Sequence, residues 1–245
     1  MPYDRNSLAV NDLLRKLPDS REERWNVLKT FFSGWYAQIG PADGFADQEI
    51  HAAEVLLNIR FPKALREWYM LAGRRSEVWS RQDHFILPER LAIKNEKLVI
   101  YRENQSVVRW AIPVDRLVDD DPPVLVSDPR NPENWMEECP DISTFALSQM
   151  LRNTKFSEAT TYSGNGQATD ASLHAITQNY ELLGFPDLAW PPSTRLYGGD
   201  DLVIEVNDDS WIWVSGRSSA TFHEAVRLIG DAGVKWEQLS EPQPT

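Results

Sequence analysis

The hydrophobic period of this chain changes at Gly73, and this change constrains the fold more than any other feature. Before Gly73, apolar residues recur at three- and four-residue spacings, which predicts amphipathic helices over residues 5–17, 21–38, 47–59 and 62–72. After it, short runs rich in β-branched and aromatic residues alternate with polar breakers, which predicts strands. Strands grouped before and among helices predict an α+β fold rather than a doubly wound parallel sheet.

The segment FPKALREWYMLAGRR, residues 61–75, is either a ligand-binding aromatic box or a helix that builds a core. Its main apolar residues recur at positions i, i+3, i+4 and i+7 and so share one helix face: Leu65, Trp68, Tyr69 and Ala72. Pro62 suits the first helical position, and Gly73 suits a left-handed residue just after the end. We therefore predict a core-facing helix.

The strand-like runs after Gly73 are FILPERLAI, LVIYREN, SVVRWAIP and PPVLVSD, and they predict a central, largely antiparallel sheet flanked by helices. Residues 102–106 are predicted to turn a hairpin. Further along, we predict a helix over 143–152 with Ser143 as its N-cap, and a polar loop over 157–170. The predicted C-terminal elements are helices over 171–183 and 220–230 and strands over 194–205, 211–215 and 233–238.

The charge of the chain restricts its partners. It carries 37 acidic and 25 basic residues, a formal net charge of −12, so its average field repels phosphate backbones and anionic lipids. We therefore expect neither direct nucleic-acid binding nor membrane binding, but a basic protein partner. No apolar run reaches the length of a signal-peptide core, and Cys139 is alone, which together predict a cytoplasmic protein.

No motif in the sequence predicts catalysis, a metal or a cofactor. His223-Glu224 begins like the zinc motif H-E-x-x-H, but Arg227 stands where the second histidine is needed. His51 and Glu54 lie one turn apart, and without a third ligand a solvated helix surface is the favoured interpretation. The neighbouring glutamates of Cys139 disfavour a thiolate. We therefore predict that the protein is not an enzyme and carries no metal site.

Exposed carboxylates are the candidate partner-binding residues. The densest run, Asp119, Asp120 and Asp121, precedes Pro122-Pro123, and a rigid contact loop and a solvated loop are both compatible with this pattern. Two predicted hairpin turns add further candidates. The candidates outside the run are Glu103 in the first turn, Asp208 and Asp209 in the second, and Trp211 as an aromatic anchor.

The order of several apolar segments resembles the SUKH superfamily. These segments are EVLLNIRFPKALREWYMLAG at 54–73, LPERL at 87–91, LVIYRENQ at 98–105, WAIP at 110–113, DPPV at 121–124 and STFALSQML at 143–151. The resemblance implies one SUKH-like α+β domain over 1–245, matching best over 49–152, with an N-terminal helical extension, 1–48, and a C-terminal helix and hairpin region, 171–245.

Bacterial proteins of this superfamily are commonly immunity proteins, so the resemblance implies a non-catalytic protein that neutralises a cognate toxin, possibly a nuclease. The alternative that it implies is a regulatory or scaffold module for an endogenous partner. An enzyme ranks behind both because no constellation of residues supports it.

Overall fold

The computed structural model describes residues 7–157 and 161–242. The α+β class is confirmed, with helices packed against antiparallel sheets. The helices are α1 Val10–Leu14, α2 Arg21–Trp35, α3 Asp47–Leu57, α4 Lys63–Ala72, α5 Ser76–Trp79, α6 Ile142–Arg152, α7 Asp170–Asn179 and α8 Ser219–Asp231. The strands are β1 His84–Phe85, β2 Ala92–Lys94, β3 Lys97–Arg102, β4 Arg109–Pro113, β5 Val124–Ser127, β6 Trp135–Cys139, β7 Tyr162–Gln167, β8 Glu181–Leu182, β9 Arg195–Gly199, β10 Leu202–Asn207, β11 Trp211–Gly216 and β12 Lys235–Ser240.

The strands divide between two sheets, where the sequence had predicted one central sheet. The chain forms two compact units, each with its own sheet. The aromatic unit, named for its core, comprises residues 20–24 and 39–153. The aliphatic unit comprises the described residues of 1–19, 25–38 and 154–245. The segment 49–152, which carries the resemblance, lies within the aromatic unit. Strand partners are non-local contacts, so hydrophobic periodicity could not show this division.

The aromatic unit holds a sheet in the order β1-β3-β4-β5-β6, with β2 also paired to β3. Helix α4 packs its aromatic face into the core, as predicted. The Trp68 ring is fully buried and stacks on Phe85 with 4.1 Å between ring centroids. Gly73 differs from the prediction, because its backbone is right-handed helical. Lack of space for a side chain explains the glycine at this position, since a Cβ atom there would approach the Tyr69 carbonyl oxygen to 2.8 Å.

The aliphatic unit holds a sheet in the order β12-β7-β11-β10-β9-β8. Helix α8 packs against one face of it, over a mainly aliphatic core that includes Ile204, Ile212 and Val214 together with the Phe222 ring. The polar segment predicted as a loop, 157–170, instead contains β7, which lies between β12 and β11. Gly164 and Gly166 explain the difference. A Cβ atom at Gly166 would approach the Lys235 carbonyl oxygen to 2.7 Å, so these glycines allow close strand contact.

The opposite face of this second sheet carries a buried ion pair. Lys155, in the 3-10 turn Thr154–Phe156, places its Nζ 2.6 Å from Glu205 Oε2 and 4.7 Å from the centroid of the Trp213 ring. Asn207 donates a second hydrogen bond to the Glu205 carboxylate at 2.9 Å. The carboxylate is therefore compensated by a charge and by a hydrogen bond, as a buried carboxylate requires.

The strands at the sheet ends are short or bulged within the described residues. Strands β1 and β8 have two residues each, and β6 has an unpaired extra residue, Glu138, whose side chain is buried. Strand β12 is bulged at Glu237. Short strands, bulges and inward-pointing charges prevent edge-to-edge pairing. Addition of a partner strand is therefore not favoured, and loops are the better candidates for contact.

Candidate functional site

The acidic loop, Val114–Asp121, connects β4 to β5 in the aromatic unit and begins with a 3-10 turn, Val114–Arg116. Leu117 is buried beneath it. The Asp120 carbonyl oxygen accepts a hydrogen bond of 2.9 Å from the backbone N–H of Ala64, at the start of α4. A second backbone bond, of 3.0 Å, runs from the N–H of Val114 to the carbonyl of Glu96. These contacts hold both ends of the loop in one conformation.

The exposed side of the acidic loop combines one apolar side chain with several carboxylates. Val118 is 88% exposed, more than any other large hydrophobic residue that the structure describes. Asp119 accepts a hydrogen bond of 2.6 Å from Arg116, and the Asp120 carboxylate lies 3.5 Å from Arg21. The Asp120 side chain remains 70% exposed. Asp115 is also exposed, so Val118 lies among acidic residues that solvent and a partner can reach.

Asp121 has a different environment from Asp119 and Asp120. Its carboxylate accepts a hydrogen bond of 2.6 Å from the Ser143 hydroxyl and another of 3.1 Å from the Ser143 backbone N–H, and its side chain is only 14% exposed. Arg24 lies 3.6 Å away. The sequence placed all three aspartates on a partner-facing or solvated loop. For Asp121 this is wrong, because its carboxylate binds the first turn of α6.

The N-terminus of α6 also differs from the prediction. Asp141, not Ser143, is the N-cap, and its carboxylate accepts a hydrogen bond of 2.7 Å from the backbone N–H of Thr144. Arg24 Nη1 lies 2.8 Å from the Asp141 carboxylate and donates a bond of 2.9 Å to the Ser143 hydroxyl. Aspartate and serine are about equally good N-caps, so residue type alone could not decide between Asp141 and Ser143.

The electrostatic environment of Asp121 follows from this arrangement. Burial raises the pKa of Asp121 to about 6, and the neighbouring Asp141 carboxylate raises it too. The Ser143 hydrogen bonds and Arg24 act in the opposite direction without cancelling the effect of burial. Two carboxylates thus share one arginine and one helix N-terminus. Of the two, the negative charge of Asp121 is less well compensated by the arginine.

Glu103 lies in the hairpin turn between β3 and β4, as predicted. Its carboxylate accepts hydrogen bonds from the backbone N–H groups of Gln105, at 2.8 Å, and Val107, at 3.3 Å. It therefore stabilises the turn. The turn and the acidic loop lie at opposite ends of β4, about 13 Å apart along a five-residue strand, so they do not form one compact cluster.

The remaining candidates, Asp208, Asp209 and Trp211, belong to the aliphatic unit. Asp208 and Asp209 have φ angles of 49° and 48° and are the first two residues of the three-residue turn between β10 and β11. Asp209 forms an ion pair with Arg195. Trp211 is partly buried opposite Asn207 on β10. The turn is exposed, as predicted, but the structure provides no apolar side chain on it as accessible as Val118.

The residues considered for metal binding or catalysis either form contacts that stabilise the fold or lie too far from one another to form a site. Glu54 is buried, accepts a hydrogen bond of 2.8 Å from the backbone N–H of Phe61 and pairs with Arg66, so the prediction of a solvated helix surface is wrong for it. Burial, followed by the charge of Glu138, raises the pKa of Cys139 well above its ordinary value. The described residues contain no group of three histidine, cysteine, aspartate or glutamate side chains suited to a metal ion.

Two features of the site were not found from sequence. Val118 was not singled out, although an apolar residue between Arg116-Leu117 and three aspartates is a visible signal of a contact loop. The arginines Arg21 and Arg24 were also missed, because they lie about a hundred residues before their carboxylate partners. Such long-range ion pairs leave no local pattern.

Comparison of the chain with protein-family models, with curated protein sequences and with solved structures returns no significant match. Within residues 7–157 and 161–242, no helix is both long enough and apolar enough to cross a bilayer.

Proposed function

We propose that this protein is a non-catalytic immunity protein of the SUKH type, which binds a cognate toxin domain through the acidic loop and blocks its activity. The observation that carries the proposal is Val118, an exposed apolar side chain on a fixed loop among aspartates. An apolar centre surrounded by a polar, solvent-accessible rim is the usual anatomy of a protein contact surface.

The charge of the loop indicates the chemistry of the partner. Asp115, Asp119 and Asp120 present carboxylates to solvent, and the whole chain has a net charge of −12. A nuclease toxin has a basic cleft whose positive potential attracts phosphates, and the same potential attracts carboxylates. The proposed partner is therefore a basic toxin domain rather than nucleic acid or a membrane, and the proposed compartment is the cytoplasm.

The environments of the buried carboxylates agree with a binding protein. Glu54, Asp121 and Glu205 each have an arginine or lysine partner and hydrogen bonds that stabilise the fold. A catalytic acid or base must instead reach a substrate. The alternative, a regulatory or scaffold module, would use the same kind of surface for an endogenous partner, so the identity of the partner distinguishes the two functions.

The test is co-expression with the toxin domain encoded by the neighbouring gene. We expect this protein to restore growth of cells that express the toxin, and Val118→Lys to abolish the protection. Val55→Lys is the matched control, because Val55 is 65% exposed on α3, away from any carboxylate run. A neighbouring gene that encodes no toxin, or full protection by Val118→Lys, would contradict the proposal.

A further inference from the structure

We propose that Asp121 couples the acidic loop to a proton, so that binding of a cationic partner at this loop is accompanied by release of that proton. The inference rests on the proposed function, to which it adds a regulation by pH. The cluster that carries it comprises Asp121, which is the last residue of the loop, and Asp141, Arg24 and Ser143.

The geometry identifies Asp121 as the carboxylate whose charge is less well compensated. Arg24 Nη1 is 2.8 Å from the Asp141 carboxylate but 3.6 Å from that of Asp121, so Asp141 has the stronger charge partner. Asp141 also accepts the capping hydrogen bond of α6. A single arginine cannot fully compensate two neighbouring carboxylates with low exposure, and one of them then holds a proton more tightly.

The other charged groups around the cluster act at longer range. Arg21, also on α2, pairs with Glu67 of α4 at 2.7 Å, and its charge is therefore largely compensated before it reaches Asp121. Asp119 and Asp120 precede Asp121 in the loop, where Asp119 pairs with Arg116 at 2.6 Å and Asp120 lies 3.5 Å from Arg21. With Asp115 they still add more negative than positive charge on the exposed side. These groups together leave a negative field at the surface of the loop, which favours a proton or a bound cation.

A proton on Asp121 and a cationic partner on the loop are therefore attracted by the same negative potential, and each weakens the binding of the other. A positive charge that docks on Asp119 and Asp120 lowers the proton affinity of Asp121, and by linkage, removal of the proton strengthens binding of the partner. We expect the affinity for a basic ligand to increase from pH 5 to pH 7.5. The pKa of Asp121, about 6, falls inside this window.

The test follows the carboxyl carbon signals of aspartates by NMR in a pH titration of the protein. The Asp121 signal is assigned from the Asp121→Asn variant, in which the amide oxygen keeps an acceptor for Ser143. We expect a midpoint near pH 6 for Asp121. Repeating the titration with a nona-arginine peptide should lower this midpoint by about half a unit, equivalent to a threefold gain in peptide affinity between the protonated and ionised states.

The controls separate the switch from the docking surface. Asp121→Asn should bind the peptide with the same affinity at pH 5 and pH 7.5, whereas Asp119→Asn should keep the pH dependence of wild type. A midpoint near pH 4 would overturn the proposal without bearing on toxin binding. A midpoint near pH 6 that the peptide does not move, while the Asp119 and Asp120 signals do shift, would overturn the coupling alone. If addition of the peptide does not shift the Asp119 and Asp120 signals, the acidic loop is not the docking surface, and the coupling is overturned with it.

Discussion

The two units of this protein bury the helix-covered faces of their sheets with different side chains. In the aromatic unit, the Phe145 ring meets Trp68 and Tyr101 edge to face, and Trp68 stacks on Phe85. In the aliphatic unit, the corresponding face carries mainly residues such as Ile204, Ile212 and Val214, with Tyr197 and Phe222 as its buried rings. The buried rings of α2 that belong to this unit lie outside that cluster: Phe31, Phe32 and Trp35. A few large side chains concentrate buried area, whereas many small ones distribute it. The same α+β architecture should therefore respond differently to single substitutions in the two units.

The largest expected effect is that of Trp68→Ala in the aromatic unit. Removal of this fully buried ring should lower the free energy of unfolding by about 3 to 5 kcal/mol, through lost burial and a residual cavity. Ile212→Val in the aliphatic unit removes a single methyl group and should cost about 0.5 to 1.5 kcal/mol. Chemical denaturation measures both. A cost of Trp68→Ala as small as that of Ile212→Val would mean that the space left by the ring is refilled without a cavity.

The second prediction concerns the polar face of the aliphatic unit. Lys155→Met removes the charge partner of Glu205, whose side chain is 3% exposed, and should cost about 3 kcal/mol because a carboxylate stays buried. Arg227→Met is the control, since the Arg227–Asp231 pair is exposed and should contribute less than about 0.5 kcal/mol. Thermal melts compare the two. A tolerated Lys155→Met would mean that the buried carboxylate does not depend on this charge partner.

The third prediction tests the buried carboxylate of the aromatic unit by pH. Because the folded pKa of Asp121, about 6, is raised above the ordinary aspartate value of 3.8, the folded state binds the proton more tightly than the unfolded state. The resulting stability is fully present below pH 3.8 and is lost as pH rises through 6.

The size of this effect, relative to Asp121→Asn, should be about 2 kcal/mol between pH 4 and pH 7, because Asp121 retains some solvent contact that weakens it. Denaturation at a series of pH values measures it. A difference between wild type and variant that is constant with pH would exclude the raised pKa.

These contrasts also show what sequence could reveal. The helical period from Leu65 to Ala72 predicted a buried face, and the buried Trp68 confirms it, because helix periodicity is a local property. The strand β7 was missed, because Gly164 and Gly166 carry no side chains to produce an alternating pattern. Its position between two strands depends on close backbone contact, which composition cannot reveal.

The candidate site was predictable only in part, for a related reason. The run Asp119–Asp121 was correctly recognised as a conspicuous feature, but adjacent residues of the run have different environments. Asp120 is exposed, whereas Asp121 binds the N-terminus of α6. The residues that decide this, Arg24 and Ser143, are distant in sequence from the run. Local charge patterns therefore predict where carboxylates are, and tertiary contacts decide which of them remain available to a partner.

The smallest expected effect on stability, and the sharpest test of the docking surface, comes from two matched pairs of exposed aspartates. Asp119→Asn/Asp120→Asn neutralises the acidic loop of the aromatic unit, and Asp208→Asn/Asp209→Asn neutralises the turn of the aliphatic unit. Both double variants should change the unfolding free energy by about 0.5 kcal/mol or less, and asparagine tolerates the positive φ angles of the turn.

Their effects on binding should differ, because only the acidic loop carries an apolar anchor as exposed as Val118. We expect the acidic-loop variant to associate about fivefold more slowly with a basic toxin domain at low salt, and the turn variant to associate at the wild-type rate. Stopped-flow rates across a salt series measure this. The difference should shrink at 0.5 M salt, since ions screen exposed charges beyond about 8 Å already at 0.15 M. A slower turn variant would move the docking surface to the aliphatic unit, and rates independent of both charge and salt would exclude electrostatic steering.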